Sequence, residues 1–294
     1  MTHQPAKHIA VTDAVTLGND LPFVLQSGPC QIESREHALM LAREVSGICA
    51  DLGVPYVFKA SFDKANRSSL GGRRGVGLEQ GLEILAEIRA SVGCPVLTDV
   101  HTEAQCRPVA EVVDMLQIPA FLCRQTDFVL AVGEAAAEFG RTVNVKKGQF
   151  LAPWDMANVV AKIESTGCQK MALVERGVTF GYGNLVVDPR SLYEMAKTGY
   201  PVVMDATHAV QMPGALGNAS GGKREYVPVI ARAAVGVGVA GLFMEVHDDP
   251  DNAASDGPNS VQLDRLRDLL AGLVALDQVR KQLDTSQTVG CRST

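Results

Sequence analysis

Eight times along this 294-residue chain, a short run of β-branched and apolar residues gives way to a segment with helical spacing. The runs are "PFVLQS" (22–27), "PYVFKAS" (55–61), "PVLTDV" (95–100), "MLQIPA" (115–120), "TVNVKK" (142–147), "MALVER" (171–176), "PVVMDATH" (201–208) and "LFMEVH" (242–247). Several are apolar almost without interruption, as strands covered on both faces are. The segments between them are amphipathic and carry helix signals. "SREHALMLAREVSGICADLG" opens on an N-cap serine, Ser34, and closes on Gly53. "LEQGLEILAEIRASVG" ends at Gly93. "PWDMANVVAKIESTG" has Pro153 near its start and Gly167 just past its end. "SVQLDRLRDLLAGLVALDQVRKQL" reads as the last helix. Eight such units with no compositional break predict an α/β chain closed into a (β/α)8 TIM barrel, one domain over residues 1–294. A doubly wound open sheet is the alternative, but the chain lacks the Gly-rich loop expected at a switch point. "KHIAVTDAVTLGND" alternates and turns at Gly18-Asn19, predicting a β-hairpin under the barrel floor. The polar end, from about residue 283, reads as a frayed tail.

A formal net charge of −6 opposes generic nucleic-acid binding, yet leaves room for a local basic pocket. The seven cysteines are scattered and form no CxxC pair, so a reducing, cytoplasmic setting is expected. No window is long and apolar enough for a membrane helix, and the first residues lack a signal-peptide run.

In such a barrel the chemistry sits at the C-terminal ends of the strands. Ionisable and metal-capable residues crowd those ends here. A basic group comprises Lys59, Lys64, Arg67, Arg124, Lys146 and Arg176, with Asn66 and Ser68 as neutral donors. Cations that converge on one mouth repel one another unless an anion joins them. Phosphates and a carboxylate are the natural guests, gripped by bidentate Arg and point-charge Lys. The bland reading is ion pairing with Asp63, Asp99, Asp127 or Glu175. A strand-end lysine also suits Schiff-base chemistry, with Lys146 and Lys147 as candidates. A second group is Cys30, His208, Glu245 and Asp256. Thiolate, imidazole and carboxylates together suit a divalent transition metal, provided barrel closure brings the first strand beside the last two. Taken singly, such a Cys30 is more often a packing residue, and such a His208 more often a hydrogen-bonded or acid–base one.

Eight motifs, "SGPCQIES", "FKASFDKANRSS", "TDVH", "FLCRQTD", "VNVKKGQF", "ERGVTFGYGNLVVD", "DATHAVQMPG" and "FMEVH", together resemble the 3-deoxy-D-manno-octulosonate 8-phosphate synthases from about residue 20 to 282. The run "KANRSS" separates them from the related aromatic-pathway synthases that use erythrose 4-phosphate. The resemblance implies a homotetrameric barrel enzyme of lipopolysaccharide biosynthesis. It would condense phosphoenolpyruvate with arabinose 5-phosphate and water, releasing phosphate. It implies that Lys64, Lys146 and Arg176 bind phosphoenolpyruvate with help from Lys59, Ser61 and Gln149. Asn66, Arg67 and Ser68 would hold the pentose phosphate group, Asp99 would contact sugar hydroxyls, and Arg124 would reach a neighbouring subunit's site. The catalytic set would be Lys64, Lys146, His208 and Asp256. Cys30 places the chain in the branch that needs a divalent metal (zinc, iron, manganese or cobalt), with Cys30, His208, Glu245 and Asp256 as ligands; the other branch has Asn at that position. A catalytically silent sugar-phosphate sensor is the rival from another class, opposed by the intact set of charged strand ends.

Overall fold

Residues 4–65, 74–212 and 221–283 are described by the computed structural model. A two-stranded antiparallel hairpin comes first, β1 (Ile9–Ala10) and β2 (Thr16–Leu17). The chain then alternates β3 (Val24–Gly28), α1 (Arg35–Leu52), β4 (Tyr56–Lys59), α2 (Leu78–Val92), β5 (Val96–Asp99), α3 (Glu103–Val112), β6 (Met115–Ile118), α4 (Thr126–Phe139), β7 (Thr142–Lys146), α5 (Met156–Ser165) and β8 (Met171–Glu175). A hairpin, β9 (Val178–Phe180) and β10 (Asn184–Val186), precedes α6 (Pro189–Ala196) and β11 (Val202–Asp205). A short pair, β12 (Gln211–Met212) and β13 (Gly221–Gly222), precedes α7 (Val227–Val237), β14 (Gly241–His247), β15 (Val261–Gln262) and α8 (Leu263–Gln282).

Parallel pairing runs β3-β4-β5-β6-β7-β8-β11-β14 and returns to β3. The ring closes where Gly241 pairs with Val24 on one side and Val203 on the other. This is the (β/α)8 barrel that the alternation predicts. The helices obey the caps read from sequence. Ser34 accepts from the His37 N–H at the start of α1, and Gly53 ends it in the left-handed region, φ 66°. Gly93 ends α2 in the same way, φ 78°. The hairpin covers the N-terminal end of the barrel. Asn19 holds it there by donating to the Tyr200 carbonyl and accepting from the Val202 N–H.

One local expectation changes, and one hairpin is added. Val261 and Gln262, read as helix, pair with Val246 and His247, so α8 starts only at Leu263. Their extended backbone gives the strand-end layer one more edge contact, and the helical spacing begins after it. The β9–β10 hairpin falls in a stretch for which the sequence reading assigned no element. The polar tail from 284 onward lies outside the described residues.

Strand alternation decides which side chains enter the barrel, because residues i and i+2 share a face. The interior carries a polar layer. Asn144 donates to Gln26 (3.1 Å) and Gln117 (3.1 Å), and Gln26 donates back to Asn144 (3.3 Å). These buried amides satisfy one another, which is the condition for keeping polar groups in a core. Outward-facing residues pack under the helices with Leu25, Leu116, Val143 and Leu242 wholly buried. Truncating one of these to Ala costs about 2–5 kcal/mol.

Candidate functional site

Asn144 faces inward, so Lys146 does too, and Lys147 must face out. The structure follows this rule. Lys147 is fully buried between strand and helices, 3.4 Å from Glu175 Oε1, and its ammonium also donates to the carbonyls of Gly148 and Leu151. Lys146 instead meets Asp205 Oδ2 at 2.5 Å and His208 Nδ1 at 3.4 Å, above the Phe243 ring. Burial draws its pKa down, with Asp205 pulling the other way.

The remaining strand ends converge on the same rim. Lys59 donates to Ser61 Oγ (2.9 Å), which donates to Asp99 Oδ1 (2.5 Å). Asp99 Oδ2 lies 2.8 Å from His101 Nε2. Burial works to raise the Asp99 pKa, but Lys59, His101 and Lys64 hold it well below the usual carboxylate range. Arg176 is buried; its Nη2 donates to the His208 carbonyl (3.3 Å) and to Gln211 Oε1 (3.0 Å). Its Nε and the buried Gln149 Oε1 have no hydrogen-bond partner among the described residues. Unmatched buried donors and acceptors of this kind mark where a polar guest belongs.

Beside these cations, Cys30 Sγ donates to Asp256 Oδ2 at 3.2 Å. His208 Nε2 lies 3.4 Å from Glu245 Oε1 and 3.6 Å from Asp256 Oδ2. Gly28, two residues before Cys30, lies close against the next strand, since a Cβ there would strike the Lys59 carbonyl. Asp256 is the one non-glycine residue with positive φ (52°) among those described. Such backbone strain persists where surrounding structure enforces it, often at functional sites. The half-buried Lys64 is held above its ordinary pKa; burial opposes this, and Cys30, Glu245, Asp99 and Asp256 outweigh it.

Comparison with known proteins places this architecture. The family model described as "DAHP synthetase I family" matches residues 6–282. The chain belongs to the DAHP synthetase I family. Curated relatives named "2-dehydro-3-deoxyphosphooctonate aldolase" include one from Granulibacter bethesdensis, 61% identical over 93% of this chain and 95% of its own. Another is from Rickettsia bellii, 57% identical over 90% and 96%. A third, from Rickettsia canadensis, is 54% identical over 91% and 96%.

In this family member, Cys30, Glu245 and Asp256 each offer a ligand atom within 4.8 Å of the others. Both Glu245 oxygens are buried without a hydrogen-bond partner among the described residues. Unsatisfied carboxylate oxygens beside a sulfur and an imidazole nitrogen fit a divalent cation. The protonation pattern agrees. The Cys30 thiol is pushed up by burial and by Asp256 and Glu245, and a bound cation would act in the opposite sense by favouring the thiolate. Burial works against the proton on His208, but Asp205 and Glu245 outweigh it and raise its pKa. A second set, Glu33, His37 and His247, also lies within 4.8 Å. There the set is already engaged within the protein: His247 Nδ1 accepts the Asp249 N–H (3.0 Å), His247 Nε2 lies 3.1 Å from Glu33 Oε1, and that oxygen also accepts from the Ala254 N–H (2.9 Å).

The structure thus gathers Lys59, Ser61, Lys64, Asp99, Lys146, Arg176, Cys30, His208, Glu245 and Asp256 at one rim. Arg124 is not gathered: it is exposed before α4, and no contact among the described residues joins it to the other cations. Asn66, Arg67 and Ser68 lie outside the described residues. Asp205, Thr207 and Gln211 do more than the sequence reading assigned. Thr207 Oγ1 donates to Asp205 Oδ1 and accepts from the Glu245 N–H, both at 3.2 Å. Their one signal was position inside "DATHAVQMPG"; a search for charge passes over Thr and Gln.

Among the described residues no helix is long and apolar enough to cross a membrane.

Proposed function

We propose that this chain condenses phosphoenolpyruvate with D-arabinose 5-phosphate and water, giving 3-deoxy-D-manno-octulosonate 8-phosphate and inorganic phosphate, within lipopolysaccharide biosynthesis. The observation that carries this reading is the convergence of buried Lys59, Lys146 and Arg176 beside the Cys30–His208–Glu245–Asp256 set, in a chain 61% identical to a named 2-dehydro-3-deoxyphosphooctonate aldolase.

Lys64, Lys146 and Arg176 grip the phosphate and carboxylate of phosphoenolpyruvate, assisted by Lys59, Ser61 and Gln149. Asn66, Arg67 and Ser68 take the pentose phosphate group, Asp99 its hydroxyls, and Arg124 serves a neighbouring subunit's site. C3 of phosphoenolpyruvate attacks the aldehyde carbon, water adds at C2, and the hemiketal phosphate loses phosphate by C–O cleavage. Cations fixed before the reaction stabilise the charge that moves through these steps without reorganising. Lys146 sits between the anion site and His208, so it can follow charge from one to the other. Cys30, His208, Glu245 and Asp256 would hold a divalent metal, which when bound orients water and sugar hydroxyls and adds Lewis acidity. We further read the chain as one barrel domain and a cytoplasmic homotetramer. The six described cysteines are buried free thiols, in keeping with a reducing compartment.

Phosphate release with each aldose phosphate tests the reading. Turnover with arabinose 5-phosphate and little with erythrose 4-phosphate supports it. The reverse preference assigns the chain to the aromatic-pathway reaction, and no phosphate release with either rejects synthase function.

A further inference from the structure

Gln211 joins the two halves of the site. Its Oε1 accepts from Arg176 Nη2 at 3.0 Å, and its Nε2 donates to Asp256 Oδ1 at 3.0 Å. Only one amide orientation serves both ends, because guanidinium can only donate and carboxylate can only accept. A flipped amide would meet repulsion at each end. The backbone leaves little freedom either: the Gln211 N–H bonds the His208 carbonyl, and Gln211 pairs with Gly222 across β12 and β13. Arg176 donates to that same His208 carbonyl. With Oδ1 of Asp256 held by Gln211, Oδ2 is the oxygen that faces Cys30 and His208.

We infer that Gln211 is a positioning residue that couples anion binding at Arg176 to metal binding at Asp256. This rests on the reading of the two subsites given above and adds the link between them. An anion that fixes the Arg176 guanidinium also fixes the glutamine carbonyl. The amide then presents its N–H to Asp256 Oδ1, and Oδ2 is turned to the metal site before any ion arrives. A metal on Oδ2 orders the same bridge from the other end. Each ligand therefore binds more tightly in the presence of the other, and linkage makes the factor equal in both directions. Gln211→Glu separates the two contacts. It keeps an acceptor for Arg176 but places a second carboxylate against Asp256. Gln211→Ala removes both contacts.

The test measures Mn2+ and Zn2+ affinity by chelator competition, with and without phosphoenolpyruvate, and phosphoenolpyruvate affinity with and without metal. The native chain is expected to show reciprocal tightening of about tenfold, within the usual span of coupling between sites. In Gln211→Ala the factor falls to about one, with both ligands still bound and the melting temperature kept. In Gln211→Glu metal affinity falls while phosphoenolpyruvate affinity is retained. A purely structural role would move the melting temperature and leave the factor intact, which overturns the inference. So does equal coupling in the native chain and both variants. If the native chain binds neither metal nor phosphoenolpyruvate, the reading of the subsites fails, and the bridge with it.

Discussion

Asp205 Oδ2 lies 2.9 Å from His208 Nδ1, and that contact decides which nitrogen of the ring faces the rest of the site. With Nδ1–H given to the carboxylate, Nε2 is the nitrogen 3.4 Å from Glu245 and 3.6 Å from Asp256. A ligating histidine is commonly oriented in this way by a carboxylate behind it. Asp205 is wholly buried and also holds Lys146. Replacing Asp205 with Asn keeps the shape and removes the charge. Metal affinity, measured by chelator competition, is expected to drop by about 10–100-fold. Unchanged affinity would remove Asp205 from the metal's support.

Metal uptake should be proton-linked. Burial and the neighbouring carboxylates raise the Cys30 thiol above its ordinary pKa, and His208 is also raised. Without a cation, the Cys30 thiol therefore keeps its proton at neutral pH, His208 is shifted in the same direction, and a metal must displace the protons it replaces. The sign is fixed: fewer protons compete as pH rises, so apparent affinity increases with pH. Across neutral pH the slope should approach about one log unit per pH unit for the Cys30 proton released, and steepen towards acid pH as His208 takes up a proton. Cys30→Ala should lower affinity by at least about 100-fold, take roughly one proton out of the slope, and leave the circular-dichroism spectrum intact. A flat affinity profile in the native chain would mean that neither group ligates.

The run "KANRSS" carries a different test. Arg67 is read as a clamp on the pentose phosphate, and bidentate guanidinium contacts to phosphate are among the stronger hydrogen bonds. Arg67→Ala should raise KM for arabinose 5-phosphate by about 10–100-fold, the worth of about 1.5–3 kcal/mol. KM for phosphoenolpyruvate should move less than about threefold. Equal effects on both substrates would reject the division of the basic residues into two anion sites.

The barrel was legible because its signal is repeated: eight strand runs alternating with helical segments leave few topologies open. Ser34, Gly53 and Gly93 show this locally, since each cap is fixed by neighbours in sequence. Of the candidate site, the charged and metal-capable strand-end residues were legible, as at Cys30, Lys146, Arg176 and Glu245, which the fold brings to one rim. The site was not legible where a neutral side chain works by orienting another. Gln211 and Thr207 are held by long-range contacts to Asp256, Arg176 and Glu245, and no spacing in the chain encodes those. The internal amides Gln26, Gln117 and Asn144 were likewise hidden inside runs that read as apolar strands.

Lys146 and Lys147 are neighbours in sequence and opposites in role, and one residue of strand register separates them. Lys147 is sealed under the helices against Glu175, whose Oε1 also accepts from the N–H groups of Arg176 and Gly177. Removing the ammonium leaves a buried carboxylate without its cation, a loss that typically costs about 3–5 kcal/mol. Lys147→Met is expected to unfold at correspondingly lower denaturant concentration. KM for both substrates should change little in the fraction that stays folded. Lys146→Met should do the reverse, with most of the activity lost and a smaller stability change, because its ammonium faces the rim. Borohydride reduction in the presence of either substrate should leave the protein mass unchanged, since the proposed condensation passes through no imine. A reduced adduct mapped to Lys146 would replace the charge-stabilised addition with Schiff-base chemistry at the same rim.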